Sequence, residues 1–350
     1  MVKIAMIGAG NIAGAHLNAY KNVPEAEIVA ICDIKESRLN AMADKYGIKN
    51  RYLSIEELLE NEKDLDAVDI CVWNCNHKPC TIAALNAGLH VLCEKPMALS
   101  EAEAIEMKEC AEKNGKLLMI GFVTRFTNAA KIAKDYIDQG YLGDIYYAKA
   151  QYVRRHGNPC GWFGEKARSG GGPLIDIGVH VIDRAIYLMG SPKPVSVYAS
   201  VYNKLGCRPD LKNQIKYHKD GLDTDICDVE DFAVATIRFE NGATLQIEAS
   251  FDVNLPPAAS MVLAGTKGGF VEDEEKPILY TDINGFLTTV NIDGSDYIYG
   301  GDSFAAQFNH FIDCIEGRCE CGPSADDGVK IMRLLDAIYE SGRTGHEVLL

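Results

Sequence analysis

The sequence predicts an α/β protein in two parts: an N-terminal doubly wound parallel sheet, then an α+β domain built on a large, mostly antiparallel sheet with one open face. Three observations predict it. A short apolar run, Lys3–Ile7, breaks at Gly8-Ala9-Gly10-Asn11-Ile12-Ala13-Gly14, and a helical pattern and a second apolar run ending on Asp33 follow. Helix-like and strand-like stretches then alternate to about residue 121, the pattern of a parallel sheet. Beyond that point long alternating runs dominate, two of them joined by the hairpin signal Asn241-Gly242. The expected division is residues 1–122 and 123–350. A chain of 350 residues exceeds what one hydrophobic core usually serves.

In the first domain, strand, glycine turn, helix, strand and acid come in the order that a dinucleotide fingerprint requires. Gly8 permits the tight turn, Gly10 lets the backbone approach a diphosphate, and Ala13 is the small residue where helix and strand pack closely. Asn11 and Ile12 open the helix whose free N–H groups face the phosphates. Asp33 stands about 20 residues further on, where a carboxylate bonds the ribose 2′-hydroxyl and repels a 2′-phosphate, so NAD is expected over NADP. Lys35 and Arg38 keep NADP possible, since either answers a phosphate.

Further along, helices are expected at Ser37–Tyr46, Ile55–Glu60, Pro79–Ala87 and Glu101–Asn114, with strands near Arg51-Tyr52 and at Ala67–Val72, His90–Cys93 and Leu117–Gly121. In such sheets the ligand lies beyond the carboxyl ends of the strands. Asn74 and His77 follow one such end, where they also serve as helix N-cap residues. Glu94-Lys95-Pro96 follows the next, and Lys95 there is directed at a substrate oxygen. The Lys95–Pro96 bond is a candidate cis peptide.

The second domain opens with helix Ala129–Gln139 and strand runs Ile145–Val153, Val195–Tyr202, Phe232–Phe239, Ala243–Phe251 and Met261–Leu263. Residues 205–227 read as an inserted polar loop, and helices Phe304–Ile315 and Asp327–Ser341 close the chain. A broad open sheet face usually finds a partner, so a homo-oligomer is expected.

Within this domain, Gly170-Gly171-Gly172-Pro173 starts a helix predicted over Pro173–Met189, with proline in the first turn. Asp176, His180 and Asp183 fall at i, i+4 and i+7, a polar stripe on an otherwise apolar helix. Such a stripe is costly unless its groups find partners. It is either a satisfied core network or half of an active site.

Composition excludes other classes. The net charge of −15 argues against nucleic acid or an anionic membrane as the main partner. No segment approaches membrane-span length or a signal-peptide core. Twelve cysteines without such a leader read as reduced thiols in the cytoplasm. The spacings Cys71/Cys75/Cys80 and Cys319/Cys321 do not make a zinc framework, there is no CxxC, and no metal is expected.

Taken together, these motifs resemble the Gfo/Idh/MocA family, named for glucose–fructose oxidoreductase and inositol dehydrogenase. The resemblance rests on Gly8-Ala9-Gly10-Asn11-Ile12-Ala13, His77, Ala84-Leu85-Asn86-Ala87-Gly88 and His90-Val91-Leu92-Cys93-Glu94-Lys95-Pro96. It continues through Gly170-Gly171-Gly172, Asp176-Ile177-Gly178-Val179-His180, Asp183, Phe239-Glu240-Asn241-Gly242-Ala243 and Ser341-Gly342-Arg343. Where many members carry Thr-Pro-Asn, Val72-Trp73-Asn74 stands here. The resemblance implies a Rossmann domain, and a C-terminal domain whose open sheet forms homodimers or homotetramers. It implies a dehydrogenase acting on a secondary alcohol of a sugar, inositol or related polyol, and it makes Lys95, Asp176 and His180 the catalytic positions.

The expected cofactor contacts are Gly8, Gly10, Asn11, Ile12, Asp33, Arg38, Asn74, His77, Glu94 and Lys95. Moving a hydride requires a base for the hydroxyl proton, and imidazole titrates in the useful range, so His180 is the natural candidate. Asp176 orients it or binds substrate, and Lys95 stabilises the developing alkoxide or itself acts as base. Arg125, Tyr152, Arg154, His156, Asn158 and Trp162 are the expected substrate contacts. Two alternatives remain: a glycosidase that oxidises its substrate transiently through bound NAD, and a dinucleotide-binding regulator without turnover.

Overall fold

The computed structural model describes residues 1–206, 208, 211, 226–272, 277–292 and 301–350. Most of the expected inserted loop at 205–227 therefore lies outside the described residues. The chain divides into two compact units: Met1–Val123 with Asp302–Met332, and Thr124–Gly301 with Arg333–Leu350. The first break between the units falls at Val123/Thr124, and the sequence division expects the second domain to run on to residue 350. Instead, Asp302–Met332 returns to the first unit. The physical reason is apolar: Phe308 stacks on Tyr20 at 4.1 Å and meets the His16 ring edge at 4.9 Å.

The first unit runs β1 (Val2–Ile7), α1 (Asn11–Tyr20), β2 (Ala26–Cys32), α2 (Glu36–Tyr46), β3 (Asn50–Tyr52), α3 (Ile55–Asn61), β4 (Ala67–Ile70), α4 (His77–Asn86), β5 (His90–Glu94), α5 (Glu101–Asn114) and β6 (Leu118–Gly121). Its strands are parallel in the order β3-β2-β1-β4-β5-β6. The order reverses between β1 and β4, and ligands of such sheets bind outside the strand ends at that switch. β1 and β4 are almost wholly buried apolar runs, as strands covered on both faces should be. Cys93, a thiol with redox chemistry in principle, is fully buried in β5.

The second unit holds α6 (Asn128–Asp138), β7 (Ile145–Val153), α7 (Lys166–Ser169), α8 (Val179–Leu188), β8 (Pro194–Tyr202), β9 (Phe232–Phe239), β10 (Thr244–Ser250), β11 (Ala258–Gly265), β12 (Gly268–Glu272), β13 (Pro277–Ile283) and β14 (Phe286–Asn291). The chain then forms α9 (Ser303–Ile315) in the first unit, α10 (Ala325–Thr344) and β15 (Val348–Leu349). Among the described residues, nine strands form one sheet in the order β14-β13-β12-β11-β7-β10-β9-β8-β15. Every pairing is antiparallel except β7 with β10. As expected, Asn241-Gly242 turns the β9–β10 hairpin, with Gly242 at φ +84°.

The helix of Asp176 and His180 packs on β7 and β10. Gly178 approaches so closely that a Cβ there would lie 3.1 Å from the Ala249 Cβ. Large apolar side chains stand exposed along the sheet, among them Tyr146, Tyr198, Tyr280, Phe286 and Leu287. Among the described residues, no helix is long and apolar enough to cross a membrane.

Candidate active site

In the first unit the glycine turn is built as its sequence demands. Gly8 has φ +100°, and a Cβ there would fall 2.4 Å from the Cys71 carbonyl oxygen. Gly10 caps α1 without any side-chain hydrogen bond, and a Cβ at Gly10 would meet nothing within 4 Å. The first N–H groups of α1, starting at Asn11 and Ile12, have no acceptor within the helix itself, which is the cradle a diphosphate requires. The residues present therefore fit a dinucleotide. Gly8→Ala combines a disfavoured φ with a backbone clash. It should lower NAD affinity at least tenfold in a fluorescence titration, and an unchanged affinity would refute this role for the turn.

Asp33 is buried at the end of β2 and organises this corner. Its carboxylate accepts from Ala9 N and Lys35 N, each at 2.8 Å, and receives the Arg38 guanidinium through Nε at 3.2 Å and Nη2 at 3.1 Å. Arg38 is therefore held by the acid rather than standing alone as a phosphate ligand. Asn74 is buried in the turn after β4. His77, also buried, has Nδ1 2.6 Å from the Pro96 carbonyl oxygen and Nε2 3.2 Å from that of Val72. With one N–H, a neutral imidazole donates to one of these two carbonyls and lies against the other, between the exits of β4 and β5. Burial lowers its pKa, which keeps the ring neutral.

Beneath the turn lies a charged cluster that the sequence did not reveal. His16 on α1 places Nδ1 2.8 Å from Asp69 Oδ2 on β4. Its Nε2 faces Glu94 Oε1 at 3.1 Å, as an ion pair without hydrogen-bond alignment. Glu94 in turn accepts from Lys95 N at 3.2 Å, and only a residue without a Cβ fits opposite it at Gly121. Burial acts to lower the His16 pKa, but the charge of Asp69 beside it, with Cys71, raises it well above the ordinary value. A raised folded pKa means the contribution of His16 to stability is complete below the unfolded value, about 6.5, and is lost as pH rises through the folded one. In a histidine NMR titration the His16 ring should stay protonated well above that ordinary value. An ordinary midpoint would contradict the buried ion pair. Lys95 itself, half-buried, follows β5, and the Lys95–Pro96 peptide is cis.

The second unit contains the other catalytic candidates. The predicted single helix is in fact two pieces: a π turn at Leu174–Gly178, closed by Val179 N donating to the Leu174 carbonyl, and then α8. Such turns are wider than α and recur at functional sites. From residue 171 to 186 every residue is buried except Asp176 and His180. Asp183 behaves differently. It is fully buried and clasped by Arg125, with Nε 2.9 Å from Oδ2 and Nη2 2.6 Å from Oδ1. The Arg125 guanidinium also covers the Tyr187 ring at 4.9 Å. Arg125, expected to touch substrate, is thus committed to Asp183, because a buried carboxylate demands a matching bidentate cation.

Glu230 was missed by sequence reasoning. It is buried, and its carboxylate accepts from Gly172 N at 2.9 Å, Leu174 N at 3.1 Å and the Tyr339 hydroxyl at 2.9 Å. The side chain thereby caps the start of the π turn from more than fifty residues away. Burial raises its pKa against these donors. Gly171 and Gly172 are required for this approach, since Cβ atoms there would lie 2.0 Å from the Tyr339 hydroxyl and 2.3 Å from the Glu230 carbonyl oxygen.

The remaining expected substrate contacts lie in or just after β7. His156 Nδ1 is 2.6 Å from Asp252 Oδ1, Tyr152 lies under the Arg154 guanidinium at 5.1 Å, and Trp162 stacks on Phe163 at 3.9 Å. Asn158 is nearly buried, and its side-chain Oδ1 accepts from Cys160 N at 2.9 Å.

The chain matches known proteins along nearly its whole length. The oxidoreductase family with an NAD-binding Rossmann fold, Gfo/Idh/MocA, matches residues 2–122, and its C-terminal alpha/beta domain matches residues 134–350. D-glucoside 3-dehydrogenase of Escherichia coli is 35% identical over 100% of this chain and 97% of its own. Myo-inositol 2-dehydrogenase of Thermotoga maritima is 28% identical over 93% of this chain and 92% of its own. A solved levoglucosan dehydrogenase in complex with NADH superimposes with a TM-score of 0.87 at 25% identity, covering 99% of this chain and 98% of that one.

Proposed function

The chain belongs to the Gfo/Idh/MocA oxidoreductase family and is an NAD(P)-dependent enzyme acting on CH–OH groups; from that premise we propose that it moves a hydride between a secondary alcohol of a sugar, inositol or related polyol and NAD. One observation carries the reading of the site: in a helix otherwise buried from 171 to 186, only the acid Asp176 and the base His180 stay accessible. The names of the relatives, a glucoside 3-dehydrogenase and an inositol 2-dehydrogenase, support a ring secondary hydroxyl as the reacting group.

When bound, the nicotinamide supplies the hydride acceptor. Gly8, Gly10, Asn11 and Ile12 hold the diphosphate through backbone N–H groups. Asp33 takes the adenosine ribose and disfavours a 2′-phosphate, with Arg38 holding the carboxylate in place. Asn74, His77 and Glu94 shape the end of the cofactor site next to Lys95. His180 accepts the proton of the substrate hydroxyl, Asp176 orients the imidazole or the hydroxyl, and the Lys95 ammonium stabilises negative charge developing on the substrate oxygen. The exposed face of the nine-stranded sheet supports a homodimer or homotetramer, and the reduced thiols suit a cytoplasmic protein.

The test is a panel of sugars, glycosides and inositols with their keto forms, each with NAD and with NADP, followed by nicotinamide absorbance. Turnover with NAD on at least one member is expected. Tight NAD binding with no turnover anywhere on the panel would overturn the reading.

A further inference from the structure

Independently of that reaction, we propose that His310, Cys314, Cys319 and Cys321 form a Zn²⁺ site at the end of α9. His310 and Cys314 stand four residues apart on one face of the helix, and the chain reverses at Gly317, φ +70°, to return Cys319 beside them. Cys314 Sγ lies 3.5 Å from His310 Nε2 and 3.5 Å from Cys319 Sγ, and Cys319 Sγ lies 3.5 Å from His310 Nδ1. A tetrahedron with Zn–S near 2.3 Å and Zn–N near 2.0–2.1 Å has S···S edges of about 3.8 Å and S···N edges of about 3.6 Å. An ion takes one ring nitrogen, so only one of the two sulfur–nitrogen distances is an edge of that tetrahedron; with one ligand atom from each residue, the three still lie within 4.8 Å of one another, close enough for side-chain rotation to bring them onto one ion. Cys321 is within hydrogen-bond reach of Cys314 and supplies the fourth.

Three sulfurs with one imidazole select zinc over magnesium or calcium, which prefer oxygen. The Gly322 N–H donates to His310 Nε2 at 3.3 Å, and capture of a metal by either ring nitrogen exchanges that one bond for a stronger one. Binding also releases thiol protons, so affinity falls as pH is lowered.

The place in the fold gives the site a purpose. Just beyond Cys321, the Pro323 carbonyl accepts from Ile120 N at 3.1 Å, and Ser324 bridges to Met119 on β6, the edge strand of the parallel sheet. A metal here fastens the end of α9 to the segment that covers that edge, within the first unit. The sequence concealed the site because no CxxC is present; two ligands come from a helical i, i+4 pair and two from a Cys-x-Cys turn.

The test uses the full chain, purified under reducing conditions with zinc and then dialysed. About one zinc per chain is expected by plasma mass spectrometry, and little in Cys314→Ser/Cys319→Ser. Should that variant fail to fold, the metal-free parent chain titrated with Co²⁺ still decides. The proposal expects a thiolate charge-transfer band and the intense d–d bands of tetrahedral cobalt. A parent chain with neither zinc nor those bands, a folded variant that keeps its metal, or a Cys314–Cys319 disulfide in place of metal would each overturn it.

Discussion

His180→Ala lowers kcat on the sugar or polyol substrate by about 10²- to 10⁴-fold, the loss expected when a positioned general base is removed. NAD affinity and thermal stability stay close to those of the parent chain, because His180 is half-exposed and the proposed dinucleotide contacts all come from the first unit. The local fold gives the reason for a large effect. Glu230 caps the π turn, Asp183 is pinned by Arg125, and Thr124 donates to the His180 carbonyl at 3.2 Å, so the imidazole sits on a braced backbone. A braced base contributes more than a mobile one, since it holds reacting geometry without further ordering. Steady-state kinetics checks the claim: a fall of less than tenfold removes His180 from the role of base and leaves it to Lys95.

The second large effect is on stability. Asp183→Asn breaks a fully buried pair and leaves the Arg125 guanidinium without its charge partner, with both guanidinium contacts to Asp183 weakened. Removing one member of a buried pair costs about 3–5 kcal/mol, most of it the penalty of the charge left behind. The denaturant midpoint should fall accordingly. Replacing both residues by apolar ones of similar size, Arg125→Met with Asp183→Leu, should recover much of the loss, because no buried charge then remains. A single substitution costing less than about 1 kcal/mol would mean that water reaches Arg125 in the folded chain.

The comparison of sequence with structure separates local information from distant information. The glycine turn, Asp33 and the Glu94-Lys95-Pro96 end were legible because each depends on a few neighbouring residues and one conformational demand. Strands β12–β14 were not, since Gly268-Gly269 breaks the first run and polar residues alternate through the others. One signal was present: Asn284-Gly285 turns the β13–β14 hairpin, with φ of +55° and +79° at the two positions. The π turn left no mark in the 3.6-residue period that read Pro173–Met189 as one helix. Glu230, the Asp69–His16–Glu94 cluster and the commitment of Arg125 to Asp183 join residues far apart in the chain. A buried polar stripe announces that partners exist without saying which they are.

The central claim, that this chain carries a hydride from a carbinol carbon to the nicotinamide, is tested most directly with a substrate deuterated at that carbon. In a single turnover with NAD, the account predicts that the deuterium appears on the nicotinamide ring of the reduced cofactor and that the step slows relative to the protonated substrate. Product formed with no deuterium on the cofactor, or a glycoside cleaved without net NADH, would contradict it.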